Sequence, residues 1–154
     1  MHTDWKQNQL LVSTDQTKLD VDAIHAFLSQ AYWSEGVPRD IVERALRNSL
    51  CFGLYDAGKQ VGLARVVTDY TTFAYLCDVY VLESHRGRGV GKWLIECVMA
   101  HPQLQGLRRV SLVTRDAHGL YGPFGFKPLA APERHMEVIK PDIYRNPAGG
   151  VRQS

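Results

Sequence analysis

The sequence predicts one α/β or α+β domain in which a mixed β-sheet is covered by helices. Three observations lead to it. The chain has 154 residues, 45% hydrophobic and 22% charged, which suits a single globular domain of about 100–150 residues. Two strand-like runs, 50–55 and 60–68, flank Asp56-Ala57-Gly58-Lys59, whose Asp and Gly favour a tight reversal and hence a hairpin. A third run, Phe73–Leu82, leads through a glycine-rich turn into a helical pattern and then another strand-like run, Arg108–Thr114. Strand–helix–strand units pair their strands in parallel, so a hairpin joined to one gives a mixed sheet.

The remaining elements follow in order. Gln9 to Ser13 reads as a first strand. Asp20 or Asp22 can cap a helix, because a short side-chain oxygen accepts a free first-turn amide. Val21, Ile24, Phe27/Leu28 and Ala31 recur at helical spacing. An aromatic–acidic loop, Tyr32-Trp33-Ser34-Glu35-Gly36, follows. Pro38 suits the first turn of a second helix with Ile41, Val42, Ala45 and Leu46 as its apolar stripe. After the hairpin and the run 73–82, a third helix starts near Val90 and ends before Pro102. Asp116 can cap a short helix reaching Tyr121. The segment from Phe124 and another around Met136–Ile139 read as the last strands. The predicted order is β-α-α-β-β-β-α-β-α-β-β. The domain is expected over 1–141, and 142–154, rich in Asn, Pro and Gly, as a loose tail.

Composition narrows the function. Eighteen Lys+Arg against sixteen Asp+Glu give a net charge of +2, too balanced for a dedicated nucleic-acid or polybasic membrane protein. No apolar run approaches the roughly 20 residues of a membrane span. The start is polar and lacks the order of a secretory signal. Cys51, Cys77 and Cys97 show no C-x-x-C spacing, so neither a disulfide framework nor a zinc site is implied, and reduced thiols in a cytoplasmic protein are expected.

The informative segment is the turn His85-Arg86-Gly87-Arg88-Gly89-Val90-Gly91 and the helix it opens. Glycines let a backbone turn sharply and approach a ligand, and the free amides and dipole of a helix start favour an anion. Arg86, Arg88 and Lys92 add positive charge. A Walker A loop does not fit: Arg86 stands where its first Gly belongs and Trp93 where its hydroxyl belongs. A dinucleotide fingerprint does not fit either, since Lys92 takes the place of its third Gly.

R-x-x-G-x-G does fit, as Arg86, Gly89 and Gly91 between a strand and a helix. It resembles the pyrophosphate loop of the GCN5-related N-acetyltransferases (GNAT). The preceding Asp78-Val79-Tyr80-Val81 is similar to that family's entry strand, and Tyr121-Gly122-Pro123-Phe124-Gly125-Phe126 to its late Tyr-x-x-Phe-Gly-Phe segment. The resemblance covers about 50–139.

It implies a mostly antiparallel sheet of about six to seven strands with about four helices, and a cleft where the strands Ala74–Leu82 and Arg108–Thr114 splay apart. Acetyl-CoA is the implied co-substrate, with no metal. Its pantetheine arm would pair with the backbone of Val79, Tyr80 and Val81. Its pyrophosphate would sit on the amides of Arg86, Gly87, Arg88, Gly89, Val90, Gly91 and Lys92. Thr114 stands where many members carry a pantetheine-contacting Asn. Tyr121 matches the general acid, and a phenol of pKa about 10 is reasonably matched to a thiol of about 8.5. The plainer reading of Tyr121 is a core aromatic beside Phe124 and Phe126.

Asp78 is the candidate general base, with Glu35 in the acceptor-side loop as the other. Tyr32, Trp33, Glu35 and Tyr75 are candidate acceptor-binding residues, because aromatic faces beside carboxylates suit a cationic amine. The implied function is transfer of acetyl from acetyl-CoA to a primary amine by direct attack in a ternary complex. The alternative is a non-catalytic CoA-binding sensor or partner-binding module. Partners are then acetyl-CoA and an amine, without nucleic acid or membrane, in a monomer or homodimer.

Overall fold

The computed structural model describes residues 1–145. Part of the expected tail, 146–154, lies outside the described residues. Six strands form one sheet in chain order. β1 (Asp4–Gln7), β2 (Leu10–Ser13), β3 (Leu50–Asp56), β4 (Lys59–Thr68) and β5 (Phe73–Val81) pair antiparallel in succession, and β6 (Arg109–Leu112) joins β5 in parallel. The mixed, mostly antiparallel sheet is therefore as expected. The β3–β4 reversal places Ala57 and Gly58 at φ 50° and 86°, the left-handed pair that a two-residue hairpin requires.

Four helices cover this sheet. α1 (Val21–Leu28) is capped by Asp20, whose Oδ1 accepts from the Ala23 amide at 3.0 Å. α2 (Arg39–Arg47) begins just after Pro38 and buries Val42 and Leu46. Together with Ile24, Leu28, Cys51 and Leu63 these form the core on one face. α3 (Val90–Ala100) buries Leu94, Ile95 and Val98 against Phe52, Leu54 and Val66 on the opposite face. α4 (His118–Tyr121) is a single turn. Thr114, not Asp116, holds its start, because the Thr114 Oγ1 accepts from the Ala117 amide at 3.0 Å. The buried Gln60 ties α1 to the sheet: its Oε1 accepts from the Asp20 amide at 2.8 Å and its Nε2 donates to the Gly62 carbonyl at 3.0 Å.

Three expectations change. The sequence does not predict β1, because only Trp5 of its four residues turns inward, toward Phe52 at 5.9 Å between ring centroids, so no apolar alternation marks it. The strands expected from Phe124 and around Met136–Ile139 do not form. Gly122–Phe124 and Pro132–Arg134 are short 3-10 turns, and 136–139 carries no regular structure. A strand needs a ladder partner, and among the described residues none meets either segment. In the described part of the expected tail, Tyr144 packs against the α1–α2 core and Arg145 pairs with Glu35 at 3.3 Å.

Among the described residues the Tyr55 hydroxyl is buried with no hydrogen-bond partner, lying over Gly53, where a Cβ would collide with it. Burial raises its pKa, so the orphan group stays a neutral phenol. An unsatisfied buried hydroxyl costs about 1–3 kcal/mol. Tyr55→Phe is therefore expected to raise the melting temperature by about 2–4 °C for a gain near 1 kcal/mol. A lower melting temperature would show that the hydroxyl is bonded in solution.

Candidate acyl-transfer site

The site begins with an irregularity in β5. Leu63 faces Tyr80 while Arg65 faces Cys77, so Asp78 and Val79 together oppose the single residue Ala64. This is a β-bulge, and Asp78 takes a φ of 50° to make it. One extra residue reverses the alternation of faces. Tyr80 thereby joins the α1–α2 core beside Leu63, while Val79 and Val81 turn to the α3 side. On its other edge β5 pairs with β6 only through Phe73–Leu76 and Arg109–Leu112. Past Leu76 the two strands part, and the expected splayed cleft opens there.

The Leu82 amide points away from the cleft, to the Val61 carbonyl at 2.8 Å. Strand alternation then turns the peptide groups of Val79 and Val81 into the opening. The cleft has a volume of about 580 Å³, within the range of small-ligand sites. Its floor is Val79–Val81, its far wall is α4 with Tyr121, and its mouth is the glycine-rich turn.

That turn presents unpaired donors. The first bond of α3 runs from the Trp93 amide to the Gly89 carbonyl at 3.0 Å. Among the described residues, the amides of Gly87, Arg88, Gly89, Val90, Gly91 and Lys92 have no acceptor. Gly87 and Gly89 sit at φ 80° and 74°, a conformation open to glycine without strain. A Cβ at Gly91 would meet nothing nearer than the Val81 Cγ2 at 3.9 Å, so space lies over the amides. Free amides at the start of an eleven-residue helix form an anion cradle, and a diphosphate fits it in charge and donor set.

Two expectations about this loop need correction. The Arg86 amide is not free; it donates to the Glu83 carbonyl at 3.2 Å, closing a short turn (Glu83–His85). The Arg86 side chain donates through Nε to the Val81 carbonyl at 2.8 Å. Of the Val81 peptide groups offered to a pantetheine arm, that carbonyl is thus already engaged. The Arg88 guanidinium reaches back to the Ser84 carbonyl at 3.3 Å. His85 anchors the turn: its Nε2 lies 2.7 Å from the Asp56 Oδ2.

Tyr121 stands where this cleft meets a second opening beyond β6. Its ring is 8% exposed and meets Phe126 edge-on at 5.8 Å. Phe124 and Phe126 pack beside it, so the plainer core reading describes its ring. Its hydroxyl bonds to no other group among the described residues, although it is not sealed from solvent. Burial, with a smaller contribution from Tyr32, pushes its pKa up to about 12. The phenol therefore stays protonated near neutral pH and can donate. Thr114 lines the second opening; its oxygen accepts from Ala117, which leaves its hydroxyl proton free to donate.

Asp78 is placed differently from a free base. Its Oδ1 accepts from the Trp33 Nε1 at 2.8 Å and its Oδ2 from the Arg65 Nε at 2.7 Å. With both oxygens engaged, it clamps the Tyr32–Trp33 loop to the sheet. Trp33 itself enters the cleft and remains 43% exposed. Tyr32 meets Trp33 edge-on at 5.1 Å, and the Arg115 guanidinium already covers its ring at 3.8 Å. Glu35 and Tyr75 are not among the residues lining this cleft.

The sequence does not mark Arg65 as a site residue, or the place of the helix residue Phe27 in the cleft. Phe27 stacks on Tyr80 with centroids 3.8 Å apart. Arg65 had a signal: it is a lone charge inside the apolar run of β4. Such a residue needs a partner nearby, and Asp78 on the next strand provides it.

The model of the Acetyltransferase (GNAT) family matches residues 20–126. The chain belongs to the GNAT acetyltransferase family. A crystal structure of a GNAT-family candidate acetyltransferase from Xanthomonas campestris pv. campestris is 54% identical, with a TM-score of 0.86 over 88% of this chain and 96% of that one. A Gibberella zeae protein named as a candidate acetyltransferase is 41% identical over 141 residues, 77% of this chain and 78% of its own. A Clostridium acetobutylicum structure with acetyl-CoA shares the fold at 13% identity, with a TM-score of 0.61 over 90% of this chain and 96% of that one. Membership in the GNAT family carries general acetyltransferase activity and an acetyl-CoA site. Among the described residues no cluster of His, Cys, Asp or Glu could hold a metal ion, and no helix is long and apolar enough to cross a membrane.

In this GNAT domain a Cβ on Gly91 would stand in the space over the amides, in ordinary contact with the Val81 Cγ2. Gly91→Val is expected to weaken acetyl-CoA binding at least about tenfold, or about 1.4 kcal/mol, with little change in the melting temperature of the free protein. Calorimetric titration of both forms checks it. An unchanged Kd would mean that the ligand does not approach this loop.

Proposed function

We propose that the protein transfers an acetyl group from acetyl-CoA to a primary amine by direct attack in a ternary complex, with Tyr121 as the proton donor to the leaving thiolate. The observation that carries this reading is the neutral Tyr121 phenol, placed across the cleft from the strand edge of Val79–Val81 and within reach of the same space as the free amides of 87–92.

The amides of Gly87 to Lys92 hold the pyrophosphate, with the helix dipole and the Lys92 ammonium on the same side. The exposed peptide edge of Val79 and Val81 aligns the pantetheine arm, and Thr114 has a hydroxyl proton left to offer it. An amide of that edge donates to the thioester carbonyl, where negative charge develops as the amine attacks. The amine nitrogen bonds to the carbonyl carbon, the carbon–sulfur bond breaks, and the sulfur takes the Tyr121 proton. The amine enters as the free base and its surplus proton leaves to water, which returns one to Tyr121. Asp78 acts through Arg65 and Trp33 as a positioning residue: it fixes the wall against which the amine settles. With its two oxygens engaged it is not the base that the sequence reading offered, and Glu35, paired with Arg145, does not line the cleft.

The engagement of both Asp78 oxygens is also what favours the second reading, a CoA-binding module without turnover. Release of free CoA across a panel of amines separates the two: stabilisation by CoA with no release from any amine supports the module. For the enzyme, a general acid contributes about 10²–10⁴-fold. Tyr121→Phe is expected to lower kcat by about 100-fold or more while changing the Kd for acetyl-CoA by less than about threefold. With its pKa near 12, the phenol keeps its proton as pH rises from 7 to 10, so no loss of kcat in that window should trace to it. Equal turnover by the variant would leave Tyr121 a packing residue only.

A further inference from the structure

The glycine-rich turn gains its free donors at a cost in order. Gly87, Gly89 and Gly91 alternate along it, and a glycine backbone has more conformations to lose than any other. An anion cradle works only while its amides converge, and order imposed when the ligand arrives is subtracted from affinity. Most bonds of the turn are local. The His85 and Arg86 amides donate to the Leu82 and Glu83 carbonyls, and the Arg86 and Arg88 guanidinium groups to the Val81 and Ser84 carbonyls. These bonds curl the turn on the end of its own strand and leave it unfastened to the rest of the sheet.

One bond is different. The His85 Nε2 lies 2.7 Å from the Asp56 Oδ2, 29 positions away. Among the described residues it is the only hydrogen bond joining 83–89 to a distant part of the chain. The two side chains are 15% and 31% exposed, so solvent does not freely replace the contact. Asp56 is itself fixed, because its backbone stands in the ladder opposite both Leu10 and Lys59. The other ring nitrogen, Nδ1, lies 2.8 Å from the Ser84 Oγ, so both nitrogens are engaged and the plane of the imidazole is set. The Asp56 bond exists in either form of the ring. A neutral imidazole donates from Nε2 and accepts the Ser84 hydroxyl proton at Nδ1, and a charged one donates from both.

We propose that His85 and Asp56 are a positioning pair for the cofactor, a strut that braces the turn against the β3–β4 hairpin so that the amides of 87–92 converge before the diphosphate arrives. Neither residue lines the cleft, so the pair acts through the turn and not by touching acetyl-CoA. The inference rests on the reading that the diphosphate lies on these amides, and it does not depend on the transfer chemistry.

Three variants test it. His85→Phe keeps a ring and removes the bond, His85→Gln keeps a nitrogen donor for Asp56, and Asp56→Ala removes the acceptor. Both side chains reach solvent, so no substitution opens a cavity in the core. Calorimetric titration with CoA needs no turnover. His85→Phe and Asp56→Ala are each expected to raise its Kd about tenfold, the double variant no further than either alone, and His85→Gln to stay within about threefold of the wild type. In the free protein the NMR order parameters of the Gly87, Gly89 and Gly91 amides should fall from about 0.85 to below about 0.6 in His85→Phe and recover in His85→Gln. An unchanged Kd, additive losses, glycine amides that stay rigid, or a Gln variant no better than Phe would each overturn the proposal. The Gly91→Val titration tells two failures apart. If it weakens binding and His85→Phe does not, the strut alone is wrong; if neither does, the diphosphate does not lie on this turn.

Discussion

The parting of β5 from β6 is the constraint on which the rest of the site depends. The two strands share four residue pairs and then diverge, and the bulge at Asp78–Val79 sets what β5 offers beyond that point. With a regular ladder Tyr80 would face α3, and Val79 and Val81 would face α1. The extra residue exchanges them, so a small apolar strand edge lines the cleft while the Tyr80 ring stacks on Phe27 in the other core. A left-handed conformation at a non-glycine residue is costly. Here the Arg65 and Trp33 bonds to the Asp78 carboxylate hold that residue in place. One ion pair and one indole bond thus stabilise a backbone irregularity and fasten the Tyr32–Trp33 loop to it.

Two different sources of polarity meet in this opening. At its mouth the charge is carried by backbone: amides left over from the start of α3, in a turn that glycines allow. The arginines there, which looked like ligands of a phosphate, mainly hold the loop, through the Val81 and Ser84 carbonyls. At its inner end the polar group is a single neutral phenol in an apolar setting. Burial among Phe124, Phe126 and Leu120 raises the pKa of a phenol that is neutral near pH 7 in any case. The packing of its ring and the openness of its hydroxyl to solvent are compatible.

Much of the fold and the outline of the site were legible in the sequence, for local reasons. The hairpin at 56–59, the Asp20 cap, the apolar stripes of α1 to α3 and the glycines before α3 each express chemistry that acts within a few residues. The order of these segments led to the mixed sheet, and the turn followed by Tyr121 led to the family. What depended on distant contacts was not legible. Asp78 and Arg65 are 13 positions apart and Asp78 and Trp33 are 45 apart, so no spacing rule shows that the carboxylate is engaged. β1 is polar on three of its four residues, and its ladder with β2 and the packing of Trp5 on Phe52 make it part of the sheet. The segments after Phe124 have the residues of strands, but a strand exists only with a partner. Tertiary structure decides that, because ladder hydrogen bonds and ion pairs are made across space while sequence pattern records only what lies along the chain.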